Sequence, residues 1–408
     1  MWDIITEMSE LQRKAHGMME RLENRTHFSR ELLLLYGSRI LMRISLGALG
    51  VFIPVFFYKE YNYDLSVVIA IFVSVFSLYL LFVPLGTRLL AQWGTRRMII
   101  LGVFFAVLSI SALYFFPQSP VYATIAYVFF TALYRTMYWV PYHVDLAHSL
   151  RRDERGRQLA LLGNIAGVIL VFVPLIGGVI ITAAGFSAVF MFSVIVMLAA
   201  LVPLWFMPDS YERYSWGYIE SFAHLFSVNS RPLFLAHAAN GAQGIAILVF
   251  WPIYVFMLLD ERYTVLGIIA TLTIAAVMLL RWLVGNLFDR WSERKVLVVG
   301  VIMATTGWVT KVFVQTPLQI FAADSYHNFG RTVNTLSFDA ATYEQSADNG
   351  RYVDEYTTLK EMSQGIGRIL MLLIMAVLVA VFDLRVAFVL AALVALFMIV
   401  LNKKVSVR

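Results

Sequence analysis

Long apolar stretches alternate with short polar islands along the whole chain. A hydrocarbon core about 30 Å thick takes about 20 predominantly apolar residues in helical form, and only helices and closed barrels satisfy every backbone group there. Twelve stretches meet that requirement: 31–58, 64–87, 98–116, 120–147, 158–183, 186–207, 232–258, 263–288, 296–314, 317–343, 357–382 and 384–402. They are called spans 1 to 12. Linkers as short as PQSP (117–120) and AAGF (183–186) predict antiparallel hairpins between consecutive spans. The predicted fold class is an all-α integral membrane protein with twelve transmembrane helices.

The polar islands repeat. GNLFDRWSERK (285–295) answers TRLLAQWGTRR (87–97), with WGTRR falling on WSERK at an offset of 198, and RTMYWVPYH (135–143) of span 4 answers RTVNTLSFD (331–339) of span 10 at an offset of 196. Two matches at nearly one offset predict two six-helix halves, 30–207 and 232–402, joined by a linker at 208–231. Parallel halves of this kind place a shared site near the bilayer midplane, between them. SYERYSWGYIESFAHLF within the linker predicts a short amphipathic surface helix.

Composition agrees with spans solvated by lipid. Hydrophobic residues make up 60% of the 408 and charged residues 14%, against about 25% charged in an ordinary soluble domain. No removable leader is expected at the start of the chain. The absence of cysteine excludes disulfides, thiolate catalysis and Cys-based metal sites. One set of connections carries most of the Lys and Arg: the N-terminal segment, Arg88, Arg96, Arg97, Arg151 to Arg157, Arg290, Arg294, Lys295 and the 403–408 tail, while the other offers Lys59, Arg262 and Arg385. The positive-inside rule therefore predicts both termini cytoplasmic, and a prokaryotic inner membrane is the expected location of this multi-pass protein. Topology accounts for the net charge of +6, and no nucleic-acid partner is implied.

GNLFDRWSERK resembles the G-x-x-x-D-R-x-G-R-R loop of the major facilitator superfamily, with Gly285, Asp289, Arg290, Arg294 and Lys295 in place and Ser292 and Glu293 as departures. The first copy is weaker, with Ala91 and Gln92 where Asp-Arg is expected. VPLIGG (173–178) resembles the family's antiporter motif G-P-x-x-G-G with Val173 for the first glycine, and Arg135 matches an arginine often found in span 4. The resemblance covers about 30–402. It implies the twelve-helix, two-half fold, alternating access, and a conformational latch formed by Gly285, Asp289, Arg290 and Arg294. Topology alone suffices for the basic residues of that loop; Asp289 is the one read as a latch.

Charges inside spans are costly and mark a pathway or a paired site. Arg39 and Arg43 share one face of span 1; Arg135, Tyr138, Tyr142 and Asp145 form a stripe on span 4; Asp324, His327, Arg331 and Asn334 form another on span 10. Span 7 adds His237, Asn240 and Gln243, span 8 Arg281, and span 11 Glu361, Gln364 and Arg368. Asp145, Asp339, Lys360 and Glu361 fall near span ends, where capping or snorkelling also explains them, as it does Arg39 and Arg281 two turns in. The candidate substrate residues are Arg43, Arg135, Arg331, Arg368, Tyr138, Tyr142, Asn240, Gln243 and Asn334. Asp324, His327 and Glu361 are the candidate proton-coupling residues. Arg135 and Arg331, equivalent in the two halves, are expected to bridge one anion.

Walker-type loops, H-E-x-x-H, G-x-S-x-G and a soluble catalytic domain do not occur in the sequence, so no enzyme, cofactor or metal is expected. The function expected is a secondary transporter, proton-coupled by family precedent, moving a small-molecule substrate. A small organic or inorganic anion is favoured because the rigid fork of arginine suits carboxylate and phosphate. The alternatives are a multidrug or neutral-solute efflux antiporter, suggested by VPLIGG, and a non-transporting receptor. The N-terminal residues Ile4, Met8, Leu11, Ala15, Met18 and Leu22 predict an amphipathic cytoplasmic helix over 1–29. Its mixed charges disfavour a lipid anchor and leave self-association open for an otherwise monomeric chain in the bilayer.

Overall fold

The computed structural model describes residues 29–149, 155–211, 214–288, 292–347 and 353–402. Twelve spans can be traced among these residues. Span 1 runs Arg30–Gly50, breaks at Val51 and resumes as Phe52–Glu60; spans 2, 3 and 4 are Leu65–Trp93, Thr95–Tyr114 and Pro120–Ser149. Span 5 begins as Arg155–Leu170. It continues into the helical run Val173–Trp205, which turns at Gly185 (φ 79°, ψ 177°) and so holds the end of span 5 and all of span 6. Only glycine takes that conformation without strain.

A short linker helix, Tyr218–Leu225, precedes the second half. Span 7 is Arg231–Ile245, a π-helical stretch Ala246–Phe250, and Trp251–Leu258; spans 8 to 11 are Tyr263–Phe288, Glu293–Val312, Pro317–Ala347 and Val353–Leu378. Span 12 is Val386–Ala395 continued as a 3₁₀ segment, Leu396–Asn402. Among the described residues, eight helical runs are long and apolar enough to cross a membrane by composition alone, Leu65–Trp93 at a mean hydropathy of 2.7 and Arg294–Val312 at 1.4 among them. Spans 4 and 10, which carry the polar stripes, are not among the eight, and the 44-residue run Leu162–Trp205 contains two spans.

The repeat is visible in the backbone. The turn after span 1 holds Asn62 and Tyr63 at φ 54° and 63°, and the turn after span 7 holds Asp260 and Glu261 at φ 51° and 61°. Both pairs adopt the left-handed conformation that is uncommon for residues other than glycine. Packing repeats as well: a Cβ on Gly102 would press on Tyr138, and one on Gly300 would press on Asn334, so the same close crossing joins spans 3 and 4 and spans 9 and 10.

The halves meet along two antiparallel seams. Along spans 2 and 11, Thr87 and Thr358 hydroxyls lie 2.8 Å apart, Tyr79 donates to Glu361 at 2.8 Å, and Leu80 lies beside Gly365. Along spans 5 and 8, Leu175 N donates to Thr271 Oγ1 at 3.2 Å and Thr182 and Thr264 hydroxyls lie 2.8 Å apart. At the basic-loop end, Ser215 of the linker donates to Glu355 at the start of span 11 through its backbone N (3.1 Å) and its hydroxyl (2.7 Å), and Arg88 donates to Trp216 O at 3.3 Å. At the far end, Tyr63 donates to Glu261 at 3.0 Å and Lys59 approaches the same carboxylate at 3.3 Å, which ties the two halves together there. The acceptor Glu261 holds the Tyr63 phenol above its ordinary pKa.

The loop between spans 2 and 3 does more than set topology. Arg96 donates to Met207 O at 2.9 Å, Arg97 pairs with Asp209 at 3.3 Å, and Thr95 donates to Asp145 at 3.1 Å. Asp145 thus caps a junction of spans 3, 4 and the linker. In the second copy, Ser292 caps span 9, and Arg294 and Lys295 are exposed. Gly285 lies on span 8. Asp289, Arg290 and the predicted helix over 1–29 lie outside the described residues, apart from Ser29, which caps span 1.

Candidate functional site

Where spans 1, 2, 4 and 11 converge, arginines rest on aromatic rings. The Arg39 guanidinium lies 4.6 Å from the Trp139 ring, 4.9 Å from Tyr142 and 5.7 Å from Tyr138. Snorkelling is therefore not its fate: span 4 cages it at spacings that put all three rings on one side of the helix. Arg135 lies 5.0 Å from Phe76 and 5.3 Å from Tyr79, both on span 2. Arg368, from the other half, lies 5.1 Å from the same Phe76 and donates to Gln364 at 2.7 Å. The two guanidinium groups, one from each half, thus approach a single buried ring, Phe76, at the seam.

None of Arg39, Arg43, Arg135 and Arg368 has a carboxylate within ion-pairing distance among the described residues. Arg135 Nε and Arg368 Nη1 are buried and have no hydrogen-bond partner. Glu361 is the acidic group nearest to them along span 11. It accepts from Tyr79 and lies 3.9 Å from His143 Nε2, and His143 stacks on Trp139 with centroids 5.7 Å apart. Arg39, Trp139, His143, Glu361, Tyr79 and Arg135 therefore follow one another as a series of neighbours beside the seam.

Several predicted residues fall elsewhere. Arg331 is half-buried on span 10, and the C-terminal arginine sharing an aromatic neighbour with Arg135 is Arg368. The pseudo-two-fold puts equivalent residues on opposite walls, whereas span 2 lies between spans 4 and 11. Asp324 and His327, candidate proton-coupling residues on one stripe, take different partners. Asp324 takes Lys311 of span 9 at 2.7 Å and Asn328 at 2.9 Å, while His327 packs on Trp308, centroids 4.3 Å apart. Gln243 accepts from Trp308 at 3.1 Å and donates to Met398 Sδ at 3.0 Å, and Asn334 donates to the same sulfur at 3.3 Å. Those two amides hold spans 7, 9, 10 and 12 together inside the second half, away from the seam. Tyr138 and Tyr142 join the Arg39 cage, Asn240 is half-buried, and Arg43 is exposed one turn beyond Arg39.

Phe76, Tyr79, Trp139 and His143 were not among the predicted site residues. His143 could have been found, because it stands two helical turns from Arg135 on the same stripe of RTMYWVPYH. Phe76 and Tyr79 lie in a span without charge and carry no such signal.

Twelve spans in two pseudo-symmetric halves, with interior charge gathered at their seam, define a polytopic membrane protein of the transporter fold. The family model of the Major Facilitator Superfamily matches residues 35–338, and the chain belongs to that superfamily. No curated protein matches the chain at a significant level. Among solved structures, a variant of the E. coli fucose:proton symporter FucP is similar at 13% identity and a TM-score of 0.63, covering 91% of this chain and 97% of that one. A POT family transporter in complex with 5-aminolevulinic acid aligns at 11% identity and a TM-score of 0.67, covering 91% and 94%. Another, in complex with a thioalcohol-conjugated peptide, aligns at 11% and 0.69 with the same coverage. At these identities the likeness is one of fold.

Proposed function

We propose that the chain is a proton-coupled secondary transporter working by alternating access, and that its substrate is a small anion held between Arg135 and Arg368. The observation that carries this reading is the pair of guanidinium groups, one from each half, on either side of the seam at Phe76, each with a buried N–H left unused. Buried donors are otherwise nearly always satisfied, and a planar fork matches carboxylate or phosphate. Contact with both halves would let the anion link substrate occupancy to their relative movement. Glu361, with Tyr79 and His143 around it and Arg368 two turns away, is the group we assign to the coupling proton. The basic-loop end is taken as cytoplasmic on the positive-inside rule.

Purified protein reconstituted in liposomes tests the reading. Arg135→Lys and Arg368→Lys keep the charge and lose the fork, so each should weaken anion uptake about tenfold or more. Glu361→Gln should abolish uphill uptake while sparing counterflow exchange, since only the proton-linked step needs a titratable group. Wild-type anion uptake by both lysine variants would overturn the assignment of the anion to Arg135 and Arg368, and absence of anion uptake by the wild-type protein would overturn the anion reading in favour of neutral-solute or drug efflux.

A further inference from the structure

The seam region offers two cationic stations, not one. Arg135 and Arg368 form the first at Phe76. Arg39 forms the second, over Trp139 and Tyr142. Along span 4, these rings stand four and seven residues beyond Arg135, which is about 6–10 Å at 1.5 Å per helical residue. Both stations belong to one series of contacts through His143 and Glu361.

The groups between the stations are short of acceptors. On span 4 the buried Tyr134 hydroxyl, Arg135 Nε and Trp139 Nε1 have no hydrogen-bond partner, and on span 11 neither does Arg368 Nη1. Each can donate. A ligand that satisfied them would be rich in oxygen acceptors at both ends of that distance. Charge points the same way, because a monoanion leaves one station uncompensated, and a second acidic group balances it.

We propose that the transported anion is a short-chain dicarboxylate, one carboxylate at Arg135 and Arg368 and the other at Arg39. This rests on the anion reading above and narrows it. Arg43, one turn from Arg39 on the same face of span 1, adds positive potential at the second station.

Full-length protein in detergent, titrated calorimetrically with succinate, glutarate and adipate and with butyrate as the monoanion, tests this directly. At least one dicarboxylate should bind about tenfold or more tighter than butyrate, the worth of one charge-assisted contact. Arg39→Gln should collapse that ratio toward one, whereas Arg135→Gln should weaken both classes together. Equal binding of butyrate and all three dicarboxylates by the wild-type protein, still sensitive to Arg135→Gln, overturns the two-station proposal and leaves the anion reading standing. Failure of every carboxylate to bind overturns both. The wild-type comparison needs no variant, so a poorly folded Arg39→Gln does not remove the test.

Discussion

Asp324→Asn separates two accounts of the second half. Lys311 Nζ lies 2.7 Å from Asp324, with side-chain exposures of 0% and 14%. The Trp251 and Trp308 rings lie 4.0 Å and 4.8 Å from the ammonium. Asn328 also donates to Asp324 at 2.9 Å. Removing the carboxylate leaves a cation enclosed by tryptophan with no anion beside it, and breaking one partner of such a pair costs about 3–5 kcal/mol. An unfolding entropy of about 2.1 cal/mol/K per residue makes 1 kcal/mol worth about 1 °C at this length. Asp324→Asn should therefore lower the unfolding temperature by about 3–6 °C. Adding Lys311→Met should recover most of the loss, because the desolvated charge goes too. Tryptophan fluorescence follows the melt, with Trp251 and Trp308 flanking the site. If Asp324→Asn melts with the wild type and loses uphill transport while keeping counterflow, the pair is not structural and Asp324 carries the coupling proton.

Three further outcomes follow from named contacts. The far-end lock joins Lys59 and Tyr63 to Glu261 with side chains 37% and 41% exposed for the ion pair; such pairs contribute about 0–1 kcal/mol, so Glu261→Gln should shift the balance toward a far-open state by up to about fivefold. Single cysteines labelled in the otherwise cysteine-free chain read that shift, and unaltered labelling refutes the lock. A Cβ on Gly367 would overlap the Ala238 carbonyl where spans 7 and 11 cross, so Gly367→Ala should cost about 1–3 kcal/mol; an unchanged melting temperature would show that the crossing can spread. Asp289→Asn, if Asp289 acts as the predicted latch, should alter the same labelling balance, and a wild-type balance would leave topology as that loop's whole role.

Element existence was written in the apolar runs, but element shape was not. The 183–186 linker reads as a four-residue hairpin connection, and the structure makes that turn at Gly185 alone, with helix on either side. No residue pattern announced the π-helical stretch Ala246–Phe250. The site divides in the same way. Arg135 and Arg368 were legible because charge in a lipid-spanning helix is conspicuous. Their surroundings were hidden because contacts such as Tyr79 to Glu361 join residues 282 positions apart, and Phe76 resembles any aromatic of an apolar span. The stripe on span 10 has partners that its own spacing does not announce. Asp324 and His327 do share a face, but span 9 supplies a nearer partner to each, Lys311 for one and Trp308 for the other.

The two halves stabilise interior cations by different means, and the difference bears on function. Lys311 meets tryptophan rings and also a carboxylate, which neutralises it and occupies a donor. Arg39, Arg135 and Arg368 meet rings without any carboxylate at pairing distance among the described residues. A ring face attracts the cation through its quadrupole, worth about 2 kcal/mol when desolvated, but it accepts no conventional hydrogen bond from the edge of the guanidinium plane. An arginine held this way keeps both its charge and much of its fork for another acceptor. Had span 2 carried Asp or Glu in place of Phe76, Arg135 and Arg368 would be more strongly held and already neutralised, and an arriving anion would have to displace a carboxylate before binding. Aromatic support leaves the cations anchored without a directly paired carboxylate, which is the condition under which an anion gains most by reaching them. On that asymmetry rests the proposal of an anion site at the seam, and the Asp324→Asn melt decides whether Lys311–Asp324 is scaffolding within the second half.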